Sequence, residues 1–378
     1  MSLPRLSPVL EQLATYPFAV LDAWKAEARG RGIDLIDFGT GDPREVTPAF
    51  IRRALVDGIE EVSSYPRAAG LPELRAAIAG WLGRRFGVVV DADCEVVPTR
   101  GSKEAIFSFA QVAFGERRLA AVPEPAYPVY ERGARFAGGD VAILPLRESA
   151  GWLPDLDRFD RWDELAIFWL SSPHNPTGAV APLAYLEELS GLAREHGFLL
   201  CADEAYSELW FDEPPPSALQ VGDRANVVVF NTLSKRSSMT GYRSGFVCAP
   251  AEIADALRRF RPTTGTAPQE FVQRASVAAW SDEAHVDEIR ALYGLKRTTL
   301  LAAIEAGGLR LAGSTASFFL WVDVGGPSEP FARRLLDRGI VVAPGSFFGP
   351  AGEGYVRFAL VPTQAECERA ADILREVL

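Results

Sequence analysis

The sequence is poor in the residues that build metal sites and disulfide frameworks. It has four cysteines and three histidines in 378 residues. The cysteines are far apart and form no CxxC pair, and three histidines cannot complete the usual zinc spacings. We therefore expect a reduced protein without a structural metal. The cysteines are Cys94, Cys201, Cys248 and Cys367.

Long apolar runs and an excess of basic residues are also missing. No stretch approaches the roughly 20 apolar residues of a membrane span. Residues 1–10 contain Pro4 and Pro8 and lack the apolar centre of a signal peptide. The net charge of −11 disfavours a broad nucleic-acid-binding face, which needs a basic surface. We expect a cytosolic protein that binds neither membrane nor nucleic acid.

The composition is that of an ordinary globular protein, and the chain is long enough for a large core and two domains. In its middle part, short apolar runs alternate with amphipathic helical stretches, which is typical of a parallel α/β sheet covered by helices on both faces. Candidate strands lie at 119–122, 141–145, 165–170, 198–202, 227–230 and 245–249. Candidate helices include 102–114, Leu183–His196 and 251–260.

The last hundred residues follow a different pattern. A long helical stretch at 282–306 precedes short strands near 318–324, 340–343 and 355–360, and a final helix covers 364–378. The region 5–31 is also helical. We predict a large domain at 45–280 and a smaller, discontinuous α+β domain formed by 1–44 and 281–378.

One lysine stands in an unusual place. Lys235 follows the apolar run 227–230, is flanked by hydroxyl residues, and precedes Arg243 by eight positions. Burial opposes the charge of an amine and lowers its pKa below about 10.4. A partly neutral amine can form a Schiff base, and hydroxyls with an arginine suit a phosphate. An aldehyde with a phosphate describes pyridoxal 5′-phosphate (PLP). Taken alone, such a lysine is more often a solvated surface residue.

Other polar residues follow the predicted strands. Asn175 lies in the turn after 165–170, while Asp203 and Tyr206 follow 198–202. The stretch 97–104 is interpreted as a turn that opens a helix. Because ligands bind beyond the carboxyl ends of strands in an open parallel sheet, we expect these residues to converge.

Each of these residues also has a plain structural interpretation. Asn175 can simply form a turn, and Asp203 can cap a helix. Gly101-Ser102 is most simply interpreted as a helix cap, and an anion site is the second interpretation. Arg243 can belong to a surface ion pair, and Arg357 can be an exposed residue of a strand. Their convergence on one edge of one sheet is what favours a cofactor site.

Together these motifs make the chain resemble the fold-type I PLP-dependent enzymes of the class I/II aminotransferase family over nearly its whole length. The resemblance implies a mainly parallel seven-stranded sheet beside a smaller α+β domain. The signatures stand in the family's order: Gly41-Asp42-Pro43, Tyr65, Gly70-Leu71-Pro72-Glu73-Leu74-Arg75, Gly101-Ser102-Lys103, Pro125-Ala126-Tyr127, Asn175-Pro176-Thr177-Gly178, Asp203-Glu204-Ala205-Tyr206, Ser234-Lys235, Arg243 and Arg357.

The resemblance implies a role for each residue around the cofactor. Lys235 would hold PLP covalently and then carry the proton between Cα and C4′, and Asp203 would pair with the pyridinium nitrogen. Asn175 and Tyr206 would bond the 3′ oxygen, with Tyr206 also counted among the catalytic residues, and Tyr127 would stack on the ring. The phosphate would be held by Gly101, Ser102, Lys103, Thr232, Ser234 and Arg243.

The resemblance also implies how substrate and a second subunit take part. Arg357 would grip the substrate α-carboxylate with a two-pronged salt bridge. Gly41 would let the backbone approach that carboxylate, and Asn175 would lie beside it. Tyr65 would reach the phosphate bound by the neighbouring subunit, so the resemblance implies a homodimer with shared active sites.

Within the family, the chain most resembles the N-succinyldiaminopimelate aminotransferases, with glutamate and 2-oxoglutarate as the second pair of substrates. The stretches 41–45, 64–72, 125–130 and 233–246 carry this resemblance. A long acidic substrate needs a distal cation, for which Arg44, Arg67 and Arg236 are candidates. The alternatives are an aminotransferase for aspartate, aromatic or branched substrates, and a carbon–sulfur β-lyase. A transcription regulator with an aminotransferase-like domain needs a DNA-binding domain, but only about 30 residues precede Asp34.

Overall fold

The computed structural model describes residues 7–13 and 15–378. Its α-helices are α1 (Pro8–Gln12), α2 (Pro17–Gly30), α3 (Ala49–Asp57), α4 (Pro72–Phe86), α5 (Ser102–Ala113), α6 (Val129–Phe136), α7 (Leu183–His196), α8 (Leu233–Arg236), α9 (Ala251–Thr264), α10 (Glu270–Trp280), α11 (Ala284–Ala306), α12 (Ser328–Leu336) and α13 (Gln364–Val377).

The β-strands alternate with these helices in the middle of the chain and cluster near its end. They are β1 (Ile36–Asp37), β2 (Val96–Thr99), β3 (Leu119–Glu124), β4 (Asp140–Pro145), β5 (Leu165–Ser171), β6 (Leu199–Asp203), β7 (Val227–Thr232), β8 (Gly245–Cys248), β9 (Arg310–Gly313), β10 (Phe319–Asp323), β11 (Ile340–Val341), β12 (Ala343–Pro344) and β13 (Tyr355–Ala359).

Seven strands form one mainly parallel sheet in the order β2-β8-β7-β6-β5-β3-β4. The pairs β3-β4, β3-β5, β5-β6 and β6-β7 are parallel, whereas β8 is antiparallel to both of its neighbours. Every residue of β5 and β7 is buried, because helices cover both faces of the sheet. The predicted fold class is confirmed.

The edge strand β2 corrects one prediction. Sequence patterning assigned the stretch 97–104 to a turn and a helix start, but its first three residues belong to β2. The strand has only four residues and contains Pro98, which lacks a backbone N–H. Proline is tolerated in a strand at the edge of a sheet, and β2 occupies the edge beside β8.

The C-terminal part builds a second, antiparallel sheet in the order β12-β13-β10-β9. The predicted single strand at 340–343 is divided: β11 pairs with β1, and β12 pairs with β13. Arg357 lies in the middle of β13, opposite Trp321 on β10 and Ala343 on β12. This sheet therefore presents the Arg357 side chain from a central strand.

The N-terminal helix α2 packs near this second sheet. Of the predicted helical region 5–31, residues 5, 6 and 14 lie outside the described residues, and the rest forms α1 and α2 with a break between them. Leu21, Trp24 and Ala28 of α2 share one buried cluster with residues of β10, α12 and β13. The proposed domain division at residues 44/45 and 280/281 stays a prediction.

In the described part of the chain, no helix combines the length and apolarity that a bilayer crossing requires. The cysteines are unpaired, with Cys94 exposed and the other three buried. The cytosolic location stays a prediction from the sequence.

Candidate active site

The carboxyl ends of the central strands place the predicted residues side by side. Asp203, the last residue of β6, lies opposite Ser171 of β5 and Phe230 of β7. Gly245, the first residue of the antiparallel strand β8, lies opposite Thr232 of β7 and Thr99 of β2. The ends of five strands therefore meet at one edge of the sheet, as the topology requires.

A cavity of about 340 Å³ opens at this edge, between the large sheet, the N-terminal segment and strand β13. It is large enough for a small ligand. Eighteen residues line it: Tyr16, Phe18, Thr40, Gly41, Asp42, Ser102, Lys103, Tyr127, Asn175, Asp203, Ala205, Tyr206, Thr232, Ser234, Lys235, Thr240, Arg243 and Arg357.

Lys235 supplies the amine of this cavity. It lies on the short helix α8, which follows β7 directly, and its Nζ donates a hydrogen bond to the carbonyl oxygen of Gly41. Burial lowers the pKa of Lys235 from 10.5 to about 8, against the opposing effect of Asp42. Arg357 and Arg243 contribute to this lowering of the pKa. A substantial fraction of the amine is therefore neutral near pH 8 and able to attack a carbonyl.

Asp203 supplies the carboxylate. Burial raises its pKa from 3.8 to about 6, while hydrogen bonds from Tyr130 and from the backbone N–H of Ala205 act in the opposite direction. The Tyr130 hydroxyl donates to Oδ2 at 2.7 Å, and the Ala205 N–H donates to Oδ1 at 3.2 Å. The carboxylate is thus held in one orientation at the floor of the cavity. No helix follows Asp203 directly, so it is not a helix cap.

An anion cradle lies beside the lysine. Helix α5 begins at Ser102, so its first backbone N–H groups have no partner within the helix and can bind a negative charge. Thr232 and Ser234 add buried hydroxyls 2.9 Å from each other. Gly101 has a φ of 78°, and a Cβ at this position would lie 2.7 Å from Nη2 of Arg243. Only glycine lets the guanidinium approach the start of the helix so closely.

Arg243 completes the cradle. Its guanidinium donates to the carbonyl oxygens of Thr240 and Arg100, at 2.9 and 3.4 Å. Within the described ranges, no carboxylate lies within ion-pair distance of it, so the surface ion pair considered above does not form. Its charge is therefore available to an anion in the cavity.

Arg357 faces the opposite wall. Its side chain is 2% exposed and is surrounded by the rings of Phe18, Phe319 and Phe348 at 5.6, 4.4 and 4.7 Å. Its guanidinium donates to Asn175 Oδ1 at 2.8 Å and to the Gly39 carbonyl oxygen at 2.7 Å. Nε has no hydrogen-bond partner, and burial lowers the pKa of Arg357 to about 10.

The absence of a counter-ion around Arg357 is the informative point. Burying a cation without an anion costs several kcal/mol. Among the residues that the structure describes, no carboxylate pairs with Arg357. The site is therefore built to receive an anion from outside the protein, and Arg357 is not an exposed strand residue.

The backbone of residues 39–41 is held in place by a buried ion pair. Asp37 Oδ1 accepts hydrogen bonds from the backbone N–H groups of Gly39 and Thr40, at 2.8 and 3.3 Å. Its Oδ2 accepts from Lys25 Nζ at 3.0 Å. Because the carbonyl oxygens of this segment accept from Arg357 and Lys235, the ion pair fixes acceptors for both cations.

Most of the predicted site residues meet in this cavity, but Tyr65 does not. Its side chain is 100% exposed on the loop between α3 and α4. The roles assigned to the individual residues, including a contact of Tyr65 with a second subunit, stay predictions.

The three candidates for a distal cation lie elsewhere. Arg236 is buried against the indoles of Trp81 and Trp280, Arg44 is half exposed near Glu366, and Arg67 is exposed. None of the three lines the cavity.

Sequence reasoning missed several residues of the site. Tyr130 lies three positions after Tyr127, where helix α6 carries it beneath the cavity wall, and this spacing was the available signal. Tyr16 and Phe18 come from the N-terminal segment, and no motif marks them. The side chain of Lys103 also points to the cavity mouth, where its Nζ lies 5.3 Å from the Tyr16 ring and 5.8 Å from the Tyr127 ring.

The donor set fits one kind of cofactor. A partly neutral amine suits an aldehyde, a buried carboxylate suits a basic ring nitrogen, and the helix start with Arg243 suits a phosphate. Together with the seven-stranded sheet, these features define a PLP-dependent enzyme of fold type I. The comparisons with known proteins agree: the family described as aminotransferase class I and II matches residues 33–374. The chain belongs to this family, whose cofactor is PLP.

Individual relatives extend this result. The LL-diaminopimelate aminotransferase of Nitratidesulfovibrio vulgaris is 36% identical, over 97% of each chain. A solved structure of Thermus thermophilus aspartate aminotransferase, a single mutant, has a TM-score of 0.92 and 29% identity over all of both chains. A probable N-succinyldiaminopimelate aminotransferase from the same organism has a TM-score of 0.87 and 33% identity, over 96% of this chain and 100% of the other.

Proposed function

We propose that this aminotransferase works through Lys235, whose amine binds the cofactor and then carries a proton to and from the substrate Cα. When bound, PLP supplies an electron-withdrawing ring that stabilises negative charge at that carbon. Asp203 would hold a proton on the ring nitrogen, and Asn175 with Tyr206 would bond the ring oxygen. Tyr127 would stack on the ring. The phosphate would be bound by Gly101, Ser102, Lys103, Thr232, Ser234 and Arg243.

The observation that carries this proposal is the unpaired guanidinium of Arg357. It lies across the cavity from the amine of Lys235, beside Asn175 and the segment of Gly41. A buried arginine with a free edge binds a carboxylate through two parallel hydrogen bonds. A substrate held in this way presents its α-carbon to the lysine, as transamination of an α-amino acid requires.

A conservative change tests the carboxylate site. Arg357→Lys keeps the charge but loses the two-pronged geometry, at a cost of about 1.5–3 kcal/mol, or roughly 10- to 100-fold. We expect KM for both the amino acid and the oxo acid to rise by this factor, with the absorbance spectrum of the bound cofactor unchanged. Arg310→Lys, on strand β9 of the same sheet and with an exposed side chain, is the control. Equal KM values for wild type and Arg357→Lys would remove Arg357 from substrate binding.

For the substrate, we propose an N-succinylated diaminopimelate with 2-oxoglutarate as the amino acceptor. Two relatives bear names from diaminopimelate metabolism. The mouth of the cavity is cationic, since Lys103 and Arg132 both lie against the Tyr16 ring, at 5.3 and 5.2 Å. A succinylated distal end carries only carboxylates, whereas free diaminopimelate carries a distal ammonium that these cations repel. This charge difference favours the succinylated substrate over the LL-diaminopimelate named for the first relative.

The space beyond the cavity supports a long substrate. A second, more open cavity of about 670 Å³ adjoins the first and shares Tyr16, Lys103 and Arg243 with it. A chain longer than that of aspartate can extend across Lys103 into this volume. The side chain of Lys103 therefore takes the role that was expected of Arg44, Arg67 or Arg236.

A substrate panel tests this choice. Purified enzyme is assayed with 2-oxoglutarate against succinylated diaminopimelate, LL-diaminopimelate, aspartate, an aromatic and a branched amino acid, and cystathionine. We expect the highest kcat/KM with the succinylated compound. A higher value with LL-diaminopimelate or aspartate would overturn the substrate proposed here, and pyruvate with ammonia from cystathionine would identify a β-lyase.

Lys103→Ala separates the distal contact from cofactor binding, because the backbone N–H of residue 103 is retained. We expect KM to rise about tenfold for the substrate with distal carboxylates. KM for an uncharged amino acid should stay the same. Arg44→Ala removes a cation that does not line the cavity and serves as the control. An unchanged KM for the acidic substrate in Lys103→Ala would assign the distal group to another residue.

We also propose that two copies of the chain assemble with shared active sites. The segment that carries Tyr65 exposes a row of apolar side chains, including Val56, Ile59 and Val62 at 63%, 61% and 75% exposure. Such a patch is costly in water and is typical of a protein–protein interface. A second copy covering it brings Tyr65 to the phosphate cradle of its partner.

A further inference from the structure

The segment that carries Lys235 needs support from its surroundings. Helix α8 has only four residues, and the chain then passes through two non-glycine residues in the left-handed region, Ser238 with a φ of 50° and Arg243 with a φ of 57°. This backbone conformation is strained for a residue with a side chain and persists only where surrounding contacts enforce it. The contacts that fix this segment therefore also fix the position of the Lys235 amine.

One of these contacts is a chain of three polar residues. Ser237, the residue after α8, lies 2.8 Å from Nε2 of His285, and Nδ1 of His285 lies 2.6 Å from Asp282 Oδ1. The hydrogen bond from His285 keeps the pKa of Asp282 low, so this carboxylate is ionised and can only accept. Nδ1 therefore carries the proton, Nε2 accepts, and the Ser237 hydroxyl donates.

The surroundings keep His285 neutral. Its ring is buried against Phe50 of α3, with ring centroids 5.5 Å apart. Burial lowers the pKa of His285. The charged groups that act on its ring are Asp282, which precedes helix α11, Glu288, which lies in α11, and Arg236 of α8. A neutral imidazole retains the acceptor that Ser237 needs. The arrangement has the order of a Ser-His-Asp triad, but Ser237 is 0% exposed, so no substrate can reach its hydroxyl.

A second contact also connects the lysine segment to the region around His285. Arg236, which precedes Ser237, donates to Glu283 Oε2 at 2.7 Å and to the Ala279 carbonyl oxygen at 2.8 Å. Both residues that follow Lys235 are therefore bound to the end of helix α10 and to the residues that precede and begin helix α11. Neither Arg236 nor Ser237 lines the cavity, so these contacts hold the lysine segment from outside it.

We propose that His285 is a positioning residue for the aminotransferase reaction, acting through Ser237 on the turn that carries Lys235. This inference rests on the proposed role of Lys235 as the proton carrier. Neither His285 nor Ser237 lines the cavity, so neither contacts the reacting atoms. Their contribution is to keep the amine in its desolvated place beside Gly41.

The test removes a single hydroxyl. Ser237→Ala leaves the segment without its bond to His285, and Ser190→Ala is a matched control. Ser190 is equally buried, and its hydroxyl also makes one hydrogen bond, to the Asp223 carbonyl oxygen at 2.9 Å, on helix α7. Both variants lose a small buried donor, so a general loss of stability should affect them alike.

The first readout needs no turnover. In the cofactor-free protein, the amine pKa of each lysine is measured from competitive labelling with acetic anhydride and mass spectrometry; the sequence has Lys25, Lys103, Lys235 and Lys296. In Ser237→Ala the turn relaxes and the amine gains water, so the pKa of Lys235 should rise by about 0.5 or more toward its usual value. Lys235 should be unchanged in Ser190→Ala.

The second readout uses the working holoenzyme. A misplaced proton carrier slows proton transfer, so we expect kcat to fall roughly tenfold in Ser237→Ala with KM nearly unchanged. The deuterium isotope effect with an α-deuterated amino acid should increase. His285→Ala should have a similar effect, and the double variant should be no worse than either single variant, because all remove the same contact.

The outcomes separate this inference from the proposed function. If wild type transaminates and Ser237→Ala matches Ser190→Ala in the lysine pKa and in the isotope effect, the positioning role is wrong. If the losses of kcat in Ser237→Ala and His285→Ala add up in the double variant, this result would also contradict the positioning role. If wild type shows no isotope effect and Lys235→Ala still transaminates, the proposed role of Lys235 itself fails.

Discussion

At the scale of single residues, the site differs from the rest of the molecule in how its buried cations are paired. Lys25 pairs with Asp37, Lys296 with Glu45, and Arg261 with Glu104. In the described part of the chain, Lys235 and Arg357 have no such carboxylate. Buried cations without an anion are costly, so their presence marks the place where ligands supply the negative charge.

The lowered pKa of Lys235 predicts how cofactor capture depends on pH. Only the neutral amine attacks an aldehyde, and the neutral fraction rises with pH until the pH exceeds the pKa. We expect the rate at which cofactor-free protein captures PLP to increase about tenfold per pH unit below pH 8 and to level off above it. Stopped-flow absorbance measures this rate. A rate that still rises at pH 10 would mean that the amine has its ordinary pKa.

At the scale of elements, the site depends on which strands and helices end beside each other. Helix α6 starts after Pro128 and brings Tyr130 to the end of β6, where its hydroxyl meets Asp203. This hydrogen bond lowers the pKa of Asp203 and partly offsets the effect of burial. The contact joins two elements that are about 70 residues apart in sequence.

Tyr130→Phe removes this hydrogen bond and should raise the pKa of Asp203 from about 6 by about 1. Less carboxylate is then available to the ring nitrogen in mild acid. We expect PLP affinity at pH 6.5 to fall about threefold and affinity at pH 8 to be nearly unchanged. Equilibrium titration at both pH values measures this, with Tyr185→Phe, whose hydroxyl bonds Pro154, as control. A uniform loss at both pH values would indicate a packing defect instead.

The elements themselves were predicted from apolar runs wherever a strand is buried on both faces. The predicted strand at 165–170 and the observed Leu165–Ser171 are an example. The search for apolar runs missed β2, because its four residues include a proline and form no continuous apolar run. It also merged β11 and β12, because their separation arises only from pairing with different strands.

The side chains of the site also divide into those that the sequence predicts and those that it does not. Residues such as Asp203 and Lys235 are predicted from their places directly after apolar strands, and the family motifs then imply their roles. Tyr16 and His285 could not be found, since their contacts arise from elements far apart in the chain. Their positions depend on packing, for which a single sequence carries no local signal.

At the scale of the whole molecule, the proposed dimer can be tested by combining two inactive variants. Tyr65→Ala removes the residue expected to act across subunits, and Lys235→Ala removes the amine. If Tyr65 acts on its partner's site, a mixed dimer contains one intact site and one with both defects. We therefore expect unfolding and refolding the two variants together to restore up to about a quarter of wild-type activity.

The same experiment has a clear contrary result. If Tyr65 acts within its own chain, every site keeps one defect and no activity returns. Light scattering on Val62→Glu provides a second check, because a charge on the apolar row should favour the monomer. An unchanged mass for Val62→Glu would place the interface elsewhere.

The stacking of aromatic rings beneath the cavity provides an optical signal. Trp169 of β5 stacks on Tyr130 with 5.0 Å between ring centroids, and Tyr130 bonds Asp203. One side chain therefore separates the indole from Asp203, the group that we propose to meet the cofactor ring. The bound cofactor has a conjugated ring that absorbs in the near-ultraviolet, where tryptophan emits, and should quench Trp169 by energy transfer. The fluorescence of the protein should thus report occupancy of its own active site without any added label.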